Sequence, residues 1–419
     1  MFTGRDILYI SSIEWNFLWQ THQEIALRLA AAGNRVLYLE NTGVRSPRLR
    51  EIGRVARRLK RWARTQSDSG RKTAENIHLC SPLVMPPFGP QWQRQANRRI
   101  FIPRLLRLMK QLQMRDVIVW TYLPNDTALD LIDALGKDIA AVVYYCVADF
   151  AQLAPQPEKL REAEQQLVKR SDLVFANCSS LVKRFQQSNP NTHLFPVGVN
   201  LDAFPINPVE PHSNGNRSLD PTSPACVATL PRPLIGYVGG MHRHIDFELL
   251  KSMALARPDW SWVFVGPAQT DVQQLAALPN VYLVGQRPHE ELINYIRQFD
   301  VCTVPYLKNS CTETVVPTKI NEYLAVSKPV VSTSIPTVIE FNERHKVLIT
   351  SEPQPHKFLI ALETALVLPN DEKTRARRRH VAEQNDWTKR FSAMCELIDE
   401  QITRKQVGGW RGDSRSASA

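Results

Sequence analysis

The chain has 419 residues, 43% of them hydrophobic, and a formal net charge of +11. That length supports two to three domains with large cores and excludes a small disulfide-stapled or wholly disordered protein. The seven cysteines are scattered with no C-x-x-C pair, which excludes a zinc ribbon and points to a reducing cytoplasm.

Residues 6–13 are predicted as a strand, 19–32 as a helix closed by Gly33, and 35–40 as a second strand, the start of a parallel βαβ sheet. Charges at Arg5 and Asp6 in the first strand argue against a signal peptide. No apolar run reaches the ~18 residues of a membrane-spanning helix. The expected location is cytoplasmic, peripheral on the inner membrane face where it meets a membrane. His22, near the start of the first helix, is either a residue lining an acceptor site or a packed histidine.

Residues 45–72 hold eleven basic residues against Glu51 and Asp68, so nine of the eleven net charges lie there. Leu49, Ile52, Val55, Leu59 and Trp62 recur at three- to four-residue steps between arginines. This predicts a basic amphipathic helix suited to an anionic membrane surface. A nucleic-acid backbone and a plain arginine-rich domain helix are the alternatives; the partner we expect is the membrane, with no nucleic acid. A second cluster, Arg94, Arg98, Arg99, Arg104, Arg107 and Lys110, is interleaved with Trp92, Ile100, Phe101 and Leu105 and supports the same surface.

Strands at 117–120, 140–146, 172–177 and 193–197 alternate with helices at 125–135, 158–170 and 179–187. They complete a first Rossmann-like domain, 1–204. Asp149, just after strand 140–146, is placed to take a proton from an acceptor hydroxyl or to cap a helix. Seven prolines between 205 and 233 mark a linker widened by an insertion. Strands at 234–238, 260–265, 281–284, 301–305, 329–333 and 347–349 then alternate with helices at 247–256, 272–278, 290–298 and 319–326. The fold class is therefore α/β, two Rossmann-like domains facing across a cleft, the second spanning 234–385. Amphipathic helices at 358–366, 372–384 and 389–404 follow, and 406–419 is predicted as a disordered tail.

The segment 316–334, VPTKINEYLAVSKPVVSTS, carries the most chemistry. Pro317 suits the first turn of a helix, and Lys319 and Glu322 then share one face near its start. Together they offer a cation for an anion and a carboxylate for paired hydroxyls, as a sugar nucleotide needs. An ordinary surface Lys/Glu pair is the alternative. Upstream, the GYVGG turn at 236–240 follows a strand, and Gly239 and Gly240 let the backbone approach a phosphate closely. Arg243 lies just beyond, and Gly266 and Gly285 end the next two strands. The pattern is neither G-x-G-x-x-G nor a Walker motif. No Asp-x-Asp occurs anywhere, so no metal is expected; Lys319, Arg243 and helix dipoles would have to stabilise a diphosphate leaving group.

Pro317, Lys319, Glu322, Tyr323, Leu324, Ala325, Lys328, Pro329, Val330 and Val331 resemble the donor-site segment of GT-B glycosyltransferases of the family 4, group 1 type. The branch is the one reading P-x-K-x-x-E-Y-L-A-x-x-K-P-V-V. The resemblance implies a nucleotide-diphosphate sugar donor and no other cofactor, with Glu322 on the ribose and Lys319 near the phosphates. It also matches Gly266 to a nucleotide-facing loop, and implies a final helix, 386–405, crossing back onto the first domain. The expected activity is transfer of a sugar to a hydroxyl of a saccharide or lipid-linked acceptor, in cell-surface polysaccharide or glycolipid synthesis. The family's better-known Glu-x7-Glu pattern is not kept: Thr314 stands eight before Glu322, with Glu313 one residue off. The family resemblance leans to retention, an Asp149 base suits inversion, and both stay open. A sugar-nucleotide epimerase on the same fold and a non-catalytic basic binding protein are the remaining readings.

Overall fold

A computed structural model of the protein describes residues 2–40, 71–82, 84–206 and 224–413. The chain divides into two compact units, Met1–Pro196 with Phe391–Ala419, and Val197–Arg390.

In the first unit the strands are β1 (Asp6–Ile10), β2 (Arg35–Leu39), β3 (Arg71–Ala74), β4 (Ile77–Cys80), β5 (Val117–Thr121), β6 (Ile139–Cys146), β7 (Leu173–Ala176) and β8 (Thr192–Leu194). They form one sheet in the order β3-β4-β2-β1-β5-β6-β7-β8. Only β3 runs antiparallel to its neighbour. Strands β1 and β5 are buried along their whole length, which is why they read as unbroken apolar runs rather than alternating ones. The helices Thr21–Ala31, Asp126–Leu135, Pro157–Arg170 and Ser179–Gln186 are the crossovers. Asn125 starts one of them by accepting from the Ala128 N–H at 2.9 Å.

The second arginine cluster becomes three successive helical segments, Gln91–Ala96, a π turn Asn97–Phe101, and Ile102–Gln111. Leu105 and Met109 turn inward, while Trp92 and Ile100 stand 58% and 52% exposed. Arg94 and Arg98 both pair with the buried Asp130, at 2.7 and 2.6 Å, so these two cations are tied to the fold. The basic helix expected over 49–62 lies outside the described residues.

The second unit holds β9 (Leu234–Val238), β10 (Ser261–Val265), β11 (Val281–Gly285), β12 (Val301–Val304), β13 (Val330–Thr333) and β14 (Ile349–Ser351). Their order, β11-β10-β9-β12-β13-β14, is parallel throughout. Numbered within the unit this is 3-2-1-4-5-6, and the strand order reverses between β9 and β12. Open parallel sheets bind ligands beyond the carboxyl ends of the strands at such a reversal. Trp260, Trp262, Tyr237, Phe299 and Tyr323 anchor the core around that point.

Residues 197–206 join this second unit: the Val199 N–H reaches the Asn385 carbonyl at 3.0 Å, the Trp387 N–H returns to Val199, and Phe204 is in the core. Within the proline-rich stretch a short helix, Pro224–Ala228, buries Val227. The last helix, Trp387–Asp413, continues as helix past residue 406, where the lack of core-forming residues predicts a disordered tail. Once a helix is nucleated each added residue costs little. Asp399, Gln401 and Lys405 of that helix meet Arg5, Asn191 and Asp172 of the first unit at 3.1, 3.4 and 2.9 Å. Among the described residues no helix is long and apolar enough to cross a membrane.

Candidate functional site

The carboxyl end of β9 runs straight into Gly239 (φ 134), and that of β10 into Gly266 (φ 149). Both sit in backbone regions that side-chain-bearing residues rarely enter. They also touch: a Cβ on Gly266 would overlap the Gly239 carbonyl, and one on Gly239 would stand 3.1 Å from Lys319 Cε. The Gly239 N–H donates to the Val265 carbonyl at 2.8 Å and the Gly266 N–H to that of Gly285 at 2.8 Å, so the three strand ends are stitched in a row. Gly240 follows, its carbonyl accepting from the Tyr237 hydroxyl at 3.1 Å.

Against these glycines lies the helix Lys319–Ala325. Pro317 opens the turn before it rather than the α-helix itself. Its carbonyl accepts from the Ile320 N–H at 3.3 Å, an i to i+3 closure, and Thr318 already has helical angles. Tyr323 ties the helix to β9 by accepting from the Val238 N–H at 2.8 Å. Lys319 is only 7% exposed. Its Nζ donates to the Tyr306 hydroxyl at 2.6 Å and lies 5.0 Å from the ring centres of Tyr237 and Tyr306. Among the described residues no carboxylate stands at ion-pair distance from it. A buried ammonium without a counter-charge is costly; two tyrosine faces offset part of that cost.

Two histidines join the cations Lys319 and Arg243 here. Arg243 is exposed, and the rings of His242 and His244 flank it, 5.3 Å apart, with His242 5.7 Å from Tyr306. Burial, then the charges of Lys319, His244 and Arg243, lower the His242 pKa to about 3. The ring is therefore neutral, and its Nδ1 accepts from the His244 N–H at 3.3 Å, which leaves the proton on Nε2 as a donor. One turn into the helix, Glu322 is half-buried, its Oε1 3.8 Å from His289 Nε2. Glu313 is exposed beside the Ser310–Thr312 turn, and Thr314 is buried. His242, His244, Tyr237, Tyr306 and His289 went unnamed; the doubled histidine in MHRHIDF was the available signal. The geometry joins Gly239, Gly240, Gly266, Lys319 and the His242–His244 loop into one electropositive surface able to bind an anion.

The first unit holds the other two candidates. His22 is fully buried beside the end of β1, its Nε2 2.8 Å from Ser12 Oγ and its ring 3.9 Å from that of Tyr122. Burial lowers its pKa to about 3. The unfolded chain, with an ordinary value near 6.5, therefore takes the proton first. The stability His22 confers is complete above pH 6.5 and is lost as pH falls toward 3, by about 1.4 kcal/mol per unit. Urea unfolding should show the wild type losing about 2 kcal/mol more between pH 6.5 and 5 than His22→Gln does. Equal losses would place the proton elsewhere.

Asp149 begins the turn Phe150–Leu153, accepting from the Ala151 N–H at 3.2 Å. Its other oxygen pairs with Arg184 at 3.0 Å, and Arg184 also holds the buried Glu164 at 3.0 Å. Burial raises the Glu164 pKa against the pull of Arg184. Asp149 thus has the capping task that its sequence position allowed, together with an ion pair that the sequence did not show.

These observations define a class: two Rossmann-like parallel-sheet units, the second carrying a cation-rich, glycine-edged surface at its strand reversal. Residues 232–367, which span β9 to β14, match the family described as Glycosyl transferases group 1. Over 252 residues the chain is 28% identical to a Bacillus subtilis (strain 168) protein named "Putative teichuronic acid biosynthesis glycosyltransferase TuaH". The match covers 58% of this chain, and the chain spans about 60% of the length of that relative. Among solved structures it is similar to sucrose-phosphate synthase from Thermosynechococcus elongatus, with TM-score 0.70, 15% identity, and 96% and 100% of the two chains covered. Anabaena HepE, solved in complex with UDP and glucose, is similar at TM-score 0.64 and 13% identity, over 94% and 99%. Likeness at these identities establishes the fold.

Proposed function

We propose that the protein is a glycosyltransferase that moves a sugar from a nucleotide-diphosphate sugar to an acceptor hydroxyl. The observation that carries this is Lys319, a buried cation with no carboxylate partner among the described residues, set against Gly239 at the end of β9. A diphosphate supplies the missing counter-charge. Glycine backbone allows its close approach, and Arg243 and the His242 Nε2 proton add donors where the leaving group gains charge. Glu322 accepts from the ribose hydroxyls, and Pro317 fixes the turn that presents both side chains. The group 1 match over 232–367 and the UDP and glucose of HepE support this donor class. No metal takes part in this proposal, so saturating EDTA should leave the transfer rate within about twofold; a large loss that Mg²⁺ restores would oppose it.

The acceptor belongs, in this proposal, to cell-surface polysaccharide or glycolipid synthesis at the cytoplasmic membrane face; the Bacillus subtilis relative's name places that protein in teichuronic acid biosynthesis. The basic stretch 45–72 and the exposed Trp92 and Ile100 beside Arg99 support a peripheral membrane contact. Equal sedimentation with neutral and anionic vesicles, or none with either, would remove that contact.

Asp149 is proposed as the acceptor's base and His22 as a residue on the acceptor side. Asp149→Asn keeps an oxygen for the Ala151 cap but cannot take a proton. Transfer should therefore fall by about 10²–10⁴-fold with the melting curve nearly unchanged. Retained transfer with a lowered melting point would assign Asp149 to the cap and the Arg184 pair alone.

A further inference from the structure

The first residues of β13 and β14 mark the end of the second sheet opposite Lys319 and the glycine-ended strands. A cavity of about 250 Å³ opens there against Val347, Leu348 and Leu368. Its remaining wall carries four cations, Lys346, Lys373, Arg377 and Arg378, and no carboxylate. Arg378 is 7% exposed, and among the described residues it has no ion-pair partner. Its Nη1 is anchored on the Ser327 carbonyl at 3.2 Å and on Asn370 Oδ1 at 2.7 Å, which fixes the guanidinium in the wall. Asp371 caps the helix Glu372–Gln384, its Oδ1 accepting from the Thr374 N–H at 2.8 Å.

Helix ends account for part of this charge. Arg377 reaches the His345 carbonyl at 3.3 Å, and Lys346 (φ 51) terminates the helix Pro336–His345, both favourable at a helix C-terminus. Capping explains neither the buried Arg378 without a counter-charge nor the apolar hollow beside it. We propose that this cavity binds a small phosphomonoester with a carbon-rich body, at a site separate from the nucleotide surface. Two guanidinium groups suit the forked geometry of phosphate oxygens. The volume equals about eight waters at roughly 30 Å³ each, enough for a phosphate and a short apolar body against Val347, Leu348 and Leu368. A concave, part-apolar hollow selects a small molecule over a membrane or nucleic-acid backbone, which need only an exposed cationic face.

The test is calorimetric titration of the full chain with inorganic phosphate, with phenyl phosphate, and with vesicles containing phosphatidylglycerol. It is run on the wild type and on Lys319→Ala, which disables the nucleotide surface. Phenyl phosphate should bind saturably, more tightly than inorganic phosphate, and equally in both proteins. The double variant Lys373→Glu/Arg377→Glu should weaken it at least about tenfold with nucleotide binding intact. Lys346→Glu, on another element, should weaken it about threefold. The proposal is overturned by no saturable phosphate binding, by binding lost with Lys319→Ala, by affinity unmoved in the charge-reversed variants, or by binding to vesicles only.

Discussion

Lys319→Met should weaken nucleoside diphosphate binding by about 1.5–3 kcal/mol, a loss of roughly 10- to 150-fold, while the free protein keeps its stability within about 1 kcal/mol. The two halves of this result follow from one feature. Lys319 is buried with a tyrosine hydroxyl and two aromatic faces for company and no carboxylate at ion-pair distance among the described residues. Methionine fills nearly the same volume and removes a charge whose burial opposes folding, so the free protein loses little. The ligand loses its charge-assisted contact. Titration calorimetry and urea unfolding on the same preparation separate the two. Unchanged nucleotide affinity with a large loss of stability would make Lys319 a packing residue.

Gly266→Ala should destabilise the second unit by about 3–5 kcal/mol, because two penalties coincide there. Its φ of 149 is strained for any side chain, and the new Cβ would overlap the Gly239 carbonyl. Relief requires moving the loop after β9, so the electropositive surface proposed to bind the nucleotide is deformed as well. At about 2–4 °C per kcal/mol for a unit of this size, thermal unfolding should shift down by roughly 6–20 °C. Gly285→Ala is the internal comparison: its φ of 80 is also positive, but no atom lies within 4 Å of the added Cβ, so its loss should be smaller. A Gly266→Ala protein that melts like the wild type would mean that the two strand ends separate without cost.

The alternation of strands and crossovers was legible because parallel strands buried on both faces read as short apolar runs, as in LIGYV at β9 and SWVFV at β10. Elements that bury little were not. The helix Pro336–His345 turns only Thr337 and Val338 inward, and the β3–β4 pair is short and lies at the sheet edge. The first leaves no periodic signal, and the alternation of IHLC in β4 spans only four residues. The limit between the units was also hidden, since Val199 joins the second unit through a backbone pairing with 385–387 that local pattern cannot reveal. At the candidate site, spacing singled out Lys319, Glu322 and the glycines as candidates, with an ordinary surface Lys/Glu pair as the alternative. Burial of Lys319 against Tyr237 and Tyr306 and the Asp149–Arg184–Glu164 chain depend on residues far apart in sequence, whereas the His242–His244 pair around Arg243 was present locally in MHRHIDF. A one-dimensional pattern carries no record of such meetings.

Calorimetric titration of the full chain with UDP, GDP, ADP and CMP, in the wild type and in Glu322→Ala, tests the central claim most directly. The account predicts that one nucleotide binds in the micromolar range and that the variant loses about 1–3 kcal/mol, the contribution of a hydrogen-bonded carboxylate. The preferred base then narrows the donor sugar nucleotide. Failure of all four to bind the wild type, or equal binding by wild type and Glu322→Ala, would contradict a nucleotide site at Lys319 and Glu322.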